Sequence, residues 1–412
     1  MTMKRQLLTL AILLVAWVLR AQTIISGEVT DGNTGRPLAH VSVAADGTEV
    51  HTVTNEDGVF TLKVPHQPRF LRLSHIGYQT RKVMLEKNGM EKLRIRMQGS
   101  TVALKEVLVS VSDPLSILKA AMSKVGQNYP SEPELMRCFY RETARRGSRF
   151  ISIAEAVTEM YKSDYSLGPE RDGVAILKGR RLMSMKARDT LGVKIQGGPV
   201  LPLMVDIAKN PPYLLDMELI ARYKLRMEVP VKIADRPQYV ISMEPNGPQL
   251  FPLMMGLVFV DQQTLALTRA ELQLDMSDWR QASDYMLVRK PLGLRFRPKE
   301  LTVLVSYETD SAGITRMSYV RNVMRFNCDW KRRLFASPFT TVCEMVVTDR
   351  LKHGREAKRP RGRSSFGQRE RFYDRVEYFD DPDFWADYNI IEPTESLENA
   401  IDKLKKRVRK TE

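Results

Sequence analysis

Thr54-Asn55-Glu56-Asp57-Gly58-Val59-Phe60 is the stretch on which the reading of the fold turns. Asn and Asp side chains bond backbone amides two residues on, and Gly takes a positive φ at little cost, so Asn55 to Gly58 reads as a tight turn. Beyond it Phe60, Leu62 and Val64 recur at every second position, the period of a strand with one face in a core. The same grammar extends in both directions. Upstream, Ile25, Gly27 and Val29 alternate before Asp31-Gly32-Asn33 breaks the run, and Val41 with Val43 leads to the turn Asp46-Gly47. Downstream come Leu71 and Leu73, then Gly77-Tyr78, then Leu93, Ile95 and Met97. Residues 22–98 therefore predict a small β-sandwich.

Five short motifs occur in order along this stretch: Gly27-Glu28-Val29-Thr30-Asp31, Thr34-Gly35-Arg36-Pro37-Leu38, Val41-Ser42-Val43, the turn already quoted, and Ser74-His75-Ile76-Gly77-Tyr78. Together they resemble the carboxypeptidase regulatory-like domain, a transthyretin-like sandwich found on envelope proteins of Bacteroidota. The resemblance covers about the first quarter of the chain and implies a non-catalytic module, so it speaks to location more than to activity. Leu104-Lys105-Glu106-Val107-Leu108-Val109 looks like the connector strand that follows this module.

The connector and a helix are expected over 99–134, because Asp113 is a good cap, Pro114 suits the first turn, and Leu115, Leu118, Ala121, Met122 and Val125 recur at helical spacing. From 135 to 350 the pattern returns to strands. Leu225, Met227, Val229, Val231 and Ile233 alternate, as do Leu301, Val303, Val305 and Tyr307, and a hairpin turns at Asp261-Gln262-Gln263-Thr264. Pro199 to Asp216, with Leu201, Leu203, Met204, Ile207 and Tyr213, is expected to lie on this sheet as a helix or lid. The arrangement is similar to the half-barrel of lipoprotein-carrier proteins, which implies a curved sheet that holds acyl chains. Residues 351–375 carry Arg355, Lys358, Arg359, Arg361, Arg363, Arg369 and Arg371 and read as a disordered basic loop. Within 376–412, Tyr378, Phe379, Phe384, Trp385 and Tyr388 offer an aromatic contact surface, and a terminal helix capped by Thr394 is expected from Glu395. The fold class is mainly β: a sandwich followed by a larger antiparallel, half-barrel-like domain with a few helices.

At the amino terminus Lys4 and Arg5 precede an apolar run from Leu7 to Leu19, and Ala21-Gln22 forms a small-residue boundary, the pattern of a signal peptide over 1–21 cleaved after Ala21. No Cys stands near that boundary, so a lipobox anchor is not expected, and the protein is assigned to the periplasm or the outer membrane. The 412 residues hold 64 Lys and Arg against 49 Asp and Glu, a net +15. In an exported protein such a balance favours lipid phosphates and anionic membrane surfaces, with outer-membrane or periplasmic proteins as further partners, and no nucleic acid. Of three cysteines, Cys328 and Cys343 are the pair that export would let close, with three buried free thiols as the equal alternative.

Catalytic chemistry finds little support. A zinc site needs clustered His and carboxylate ligands, yet His40, His51, His66 and His75 all fall in the sandwich and only His353 lies beyond it. His353 and Glu356 have a ligand-like spacing without a later His to complete a site. Ser364 and Ser365 are not in a Gly-x-Ser-x-Gly elbow, and the pairs Glu155 with Glu159 and Asp380 with Asp381 read as solvated surface. No phosphate-binding loop or dinucleotide fingerprint occurs. The sequence therefore assigns no catalytic, cofactor-binding or metal residue. It points to a non-enzymatic envelope binding or scaffold protein, with a structural accessory subunit of an outer-membrane complex and an unrecognised hydrolase as the alternatives.

Overall fold

The computed structural model describes residues 22–86, 92–100, 113–184, 194–195, 197–330, 336–368, 370–378 and 383–408. The leader 1–21 with its cleavage point and the connector Leu104–Val109 lie outside these residues.

Seven strands build the first domain: β1 (Thr23–Asp31), β2 (Ser42–Ala45), β3 (His51–Val53), β4 (Val59–Val64), β5 (Phe70–Ser74), β6 (Arg81–Met84) and β7 (Leu93–Met97). They form two sheets, ordered β4-β1-β7 and β3-β2-β5-β6. The alternating residues Val29, Val43, Phe60, Leu62, Leu71, Leu73 and Met97 meet between them in one core. The deciding turn works as its chemistry requires: Asn55 Oδ1 accepts from the amides of Asp57 at 3.0 Å and Val59 at 2.9 Å. Gly58 has φ +75°, and a Cβ there would lie 2.4 Å from the carbonyl oxygen of Val29. Only glycine fits where β1 and the turn approach this closely.

Helix α1 (Pro114–Ser123) starts on Asp113, whose carboxylate accepts from the Ser116 amide at 3.0 Å, and α2 (Val125–Asn128) follows at once. The second domain then runs β8 (Glu134–Arg146), β9 (Arg149–Lys162), β10 (Gly173–Met183), β11 (Lys194–Ile195), β12 (Tyr223–Ile233), β13 (Arg236–Pro245), β14 (Met254–Asp261), β15 (Leu267–Leu274), β16 (Leu287–Arg289), β17 (Leu294–Thr309), β18 (Thr315–Trp330), β19 (Ser337–His353), β20 (Ser365–Phe366) and β21 (Glu377–Tyr378). Twelve of these form one sheet, β12-β13-β14-β15-β17-β18-β19-β8-β9-β10-β20, with β21 also on β10; it does not close. Between β10 and β12 stand the single turns α3 (Leu201–Met204) and α4 (Pro211–Leu214); α5 (Trp279–Met286) precedes β16, and α6 (Glu395–Val408) ends the described chain.

The sheet is curled. Strands β9 and β17 stand four places apart, roughly 19 Å across a flat sheet, yet Lys162 from one and Tyr307 from the other meet on a single carboxylate, Asp206. The concave side is filled by α1, the 197–222 segment and α5, all in one apolar cluster. The convex side is covered too: the sandwich and the carboxyl-terminal segment pack there through Val53, Trp385 and Ile391 against Phe139, Val157, Tyr319 and Val346, while Leu397 and Leu404 of α6 sit on Phe150, Ile153 and Leu182. Central strands buried on both faces read as near-continuous apolar runs, as Phe150 to Val157 does, whereas β12 at the edge keeps its alternation.

One open alternative is decided and one expectation is corrected. Cys328 faces Ser337 and Cys343 faces Asn322 on paired β18 and β19, six rungs or roughly 20 Å apart, too far for a disulfide. All three cysteines are buried, and none is in a disulfide. The basic 351–375 stretch, expected as a disordered loop, instead follows the sheet: Ser365 and Phe366 pair with Ala175 and Val174 of β10, and Phe366 and Phe372 are buried in the main core.

Candidate functional site

The concave face of the curled sheet is occupied by the protein's own chain. Residues 201–215 read Leu-Pro-Leu-Met-Val-Asp-Ile-Ala-Lys-Asn-Pro-Pro-Tyr-Leu-Leu. Leu201, Leu203, Val205, Ile207, Leu214 and Leu215 are all buried. Prolines at 202, 211 and 212 remove amide donors, so the segment makes only isolated turns. It lies between β10, which ends at Met183, and β12, which starts at Tyr223, and both of these roots lie at one end of the sheet.

At the far end its tip is latched. Asp206 bonds to Lys162, the last residue of β9, and accepts from the hydroxyls of Tyr307 at 2.7 Å and Tyr165 at 2.9 Å. Lys209 donates to Asp172 Oδ1 at 2.6 Å and to the Ser163 carbonyl at 2.6 Å, and Lys162 stands 3.8 Å from Asp172 Oδ2. Two lysines and two aspartates thus balance their charges in a buried quartet. Burial alone would raise the Asp206 carboxyl, but Lys162 and the two tyrosines hold it below its usual value. Burial lowers Lys209, helped by the neighbouring Lys162 charge and opposed by Asp172. An apolar segment in an apolar groove has no preferred register, and ion pairing at one position supplies one. Tyr129 stacks on Tyr165 at 5.0 Å and completes the roof of the latch.

None of these residues is marked as a site by the sequence, in which Tyr307 reads only as a strand position. The available signal was the pair of charges, Asp206 and Lys209, inside an otherwise apolar run.

A second polar junction joins the domains. Trp385 Nε1 donates to Glu155 at 3.0 Å, and the same carboxylate accepts from Arg141 at 2.7 Å and Arg180 at 3.0 Å. Burial opposes the Glu155 charge, but the two guanidiniums hold its pKa below the ordinary value. Glu155 is therefore the hub of a buried clamp and not solvated surface. Glu159 is only half-buried, and Asp380 and Asp381 lie outside the described residues. Trp385 packs edge-on to Phe139 with centroids 5.6 Å apart, and Asn389 pairs with both backbone groups of Lys63 in β4, at 2.7 and 2.9 Å. Asn55 adds a bond from Nδ2 to the Pro393 carbonyl at 3.0 Å. Of the aromatic segment expected to face a partner, Phe384, Trp385 and Tyr388 are thus used inside the molecule, in a strap between sandwich and sheet, and Phe379 lies outside the described residues.

Beside the strap, a cavity of about 90 Å³ separates the domains, lined among others by His40, His75, Arg236, Arg269, Tyr319 and Glu308. Ser42 donates to Glu308 across it. His40 Nε2 stands 3.8 Å from Glu344 without a hydrogen bond, and the ring stacks on Tyr319. Burial pulls His40 down to about 4, aided by Arg321 and Arg269 against the pull of Glu344; burial, with Arg269, does the same to His75, also about 4. Both folded values lie below the unfolded value of 6.5, so docking favours neutral rings. The stability they carry is present in full above pH 6.5 and is lost as pH falls through 4, about 3 kcal/mol for each histidine. Thermal melts across that window are expected to fall steeply for the native protein and to flatten in His40→Gln/His75→Gln; parallel curves would refute the assignment.

His353 ends β19 exposed, and Ser364 is exposed in a single turn. Among the described residues no group of three His, Cys, Asp or Glu is placed to hold a metal ion. Burial raises the Cys138 thiol to about 12 and pushes Cys343 well above its ordinary value, so neither is an activated nucleophile. No helix among the described residues is long and apolar enough to cross a membrane.

No curated protein matches this chain in sequence. Among solved structures it is similar to a DUF1329 family protein from Desulfovibrio piger, at 12% identity over 57% of this chain and 92% of that one with a TM-score of 0.23. A putative outer membrane lipoprotein-sorting protein domain from Vibrio parahaemolyticus aligns at 9% identity over 58% and 91%, TM-score 0.25. A LolA superfamily protein from Nitrosomonas europaea aligns at 12% over 58% and 94%, TM-score 0.19. Scores this low carry no argument about what the second domain binds, and its reading rests on its own residues. The first domain is different, since a family model matches it: residues 25–109 are a CarboxypepD_reg-like domain.

Proposed function

We propose that this chain is a non-enzymatic binding protein of the bacterial cell envelope, whose curled sheet accepts an apolar, acyl-type ligand in place of its own 197–222 segment. The observation that carries the reading is the lid: an apolar stretch without continuous secondary structure fills the groove, rooted at one end and held at the other by ions. Proline-interrupted turns have few internal hydrogen bonds to lose on moving, and an apolar ligand would replace the lid's contacts on the groove wall in kind. The leader expected at residues 1–21 supports a place outside the cytoplasm, and the sandwich, fused to the sheet by the strap, serves as a rigid mount. Of the aromatic residues on which the accessory-subunit alternative rests, Trp385 is buried within the chain.

The test is to purify the protein from membranes, extract it with organic solvent, and titrate the stripped protein with a fluorescent fatty acid. Acyl lipid in the extract and saturable probe binding are expected, with binding tightened several-fold by Asp206→Asn, which loosens the latch. Absence of probe binding in both native and Asp206→Asn protein would overturn the proposal.

A further inference from the structure

The strand registers place the connections 246–253 and 275–293 at the same end of the large sheet, beyond Pro245, Met254, Leu274 and Leu294. This is also the end where the 197–222 segment is rooted, and it is remote from the sandwich, which meets the opposite end through bonds from Gly77 to Lys232 and from Thr80 to Asp235. Its tips are unusually apolar. Leu292, on the turn into β17, is 99% exposed and Leu250, on the neighbouring connection, 79%; Val288 is 49%, Tyr285 39% and Trp279 36% exposed. These are five of the eleven large apolar side chains that the described residues expose.

The same tips are ringed by cations. Between Trp279 and Lys299 the sequence has six basic residues, Arg280, Arg289, Lys290, Arg295, Arg297 and Lys299, against one acid, Asp284. Just upstream, Asp275 and Asp278 accept from backbone amides of their own turns. The guanidiniums of Arg280 and Arg297 lie 5.6 and 5.7 Å from the Trp279 ring, and that of Arg222 lies 5.4 Å from Phe251.

We infer that this end of the sheet is a membrane-docking rim, which seats Leu250, Leu292 and Trp279 in the interfacial layer of an anionic bilayer while Arg280, Arg289, Lys290 and Arg297 engage lipid phosphates. The shape favours a fluid partner over a protein: the apolar groups are separate loop tips, which lipid fills individually, whereas a protein interface needs a contiguous patch. Trp and Tyr settle at the headgroup level, and each basic residue near an anionic surface strengthens attachment roughly five-fold. Docked this way, the roots of the lid face the bilayer, so a ligand entering the groove would come directly from it. The rim's attachment does not depend on the groove's binding anything.

The test is co-sedimentation of the full chain with phosphatidylcholine vesicles, with and without phosphatidylglycerol, at two salt concentrations. Binding is expected to require phosphatidylglycerol, to weaken with salt, and to fall at least ten-fold in both Leu250→Ser/Leu292→Ser and Arg289→Glu/Lys290→Glu. All four residues are exposed, so melting temperatures should not change. Arg355→Glu/Arg361→Glu, in the basic stretch at the opposite end, should bind as the native protein does. Vesicle binding that is absent, that survives the rim variants, or that is lost only with Arg355 and Arg361 would overturn the inference. So would rim variants that lose a protein partner but keep vesicles. Fatty-acid probe binding measured without vesicles should be the same in all variants, which separates failure of the rim from failure of the groove.

Discussion

Trp385→Ala is expected to lower the unfolding free energy by about 3–5 kcal/mol, the range for truncating a large buried aromatic. The indole fills the space between the convex sheet face and the strap, against Phe139, Phe384 and Tyr388. It also provides one of three donors to Glu155. Trp385→Phe keeps most of the volume and removes only the N–H, so it should cost about 1–3 kcal/mol. The difference between the two variants measures packing, and the smaller value measures the hydrogen bond to a buried carboxylate. Because residues 385–393 hold the sandwich through Lys63, Thr52 and Asn55, the alanine variant should also become sensitive to proteolysis between 383 and 395. Denaturant melts showing equal, small effects for both variants would mean that the strap is not a clamp.

The second large effect belongs to the latch. Asp206→Ala leaves Lys162 buried with only Asp172 nearby, at 3.8 Å and already engaged by Lys209, and breaking a buried pair from one side costs about 3–5 kcal/mol. Replacing both partners, as in Lys162→Met/Asp206→Leu, removes the stranded charge and should recover most of the loss. The double variant therefore separates two roles. If the quartet merely adds stability, the double variant behaves as the native protein in every respect. If it sets the register of the lid, amide hydrogen exchange over 199–222 should stay faster in the double variant although its unfolding free energy is restored. A double variant as unstable as Asp206→Ala would show that the pairing itself, and not the stranded lysine, stabilises the fold.

The sandwich was legible because its signals are local. Asn55, Asp57 and Gly58 act within one turn, and Phe60, Leu62 and Val64 need only a period of two. The 199–216 stretch was legible as an apolar helix or lid on the sheet, and the helices at Pro114 and Glu395 were legible from their caps at Asp113 and Thr394. The polar sites were not. Glu155 and Trp385 are 230 residues apart, and Lys162 and Asp206 are 44 apart with β10 and β11 between them. A charged residue looks the same in sequence whether it meets water or an opposite charge.

The sequence by itself determined the β class, the order of the two domains, the identity of the first, and the scarcity of histidine outside it. All of these depend on near neighbours or on composition. Tertiary structure alone decided that the lid is latched by a buried quartet of charges, that Trp385 turns inward, and that Leu250 and Leu292 share one end of the sheet. The physical reason is that this sheet carries apolar side chains on both faces, and which segments cover them follows from strand order and register, quantities that a run of alternating residues does not encode.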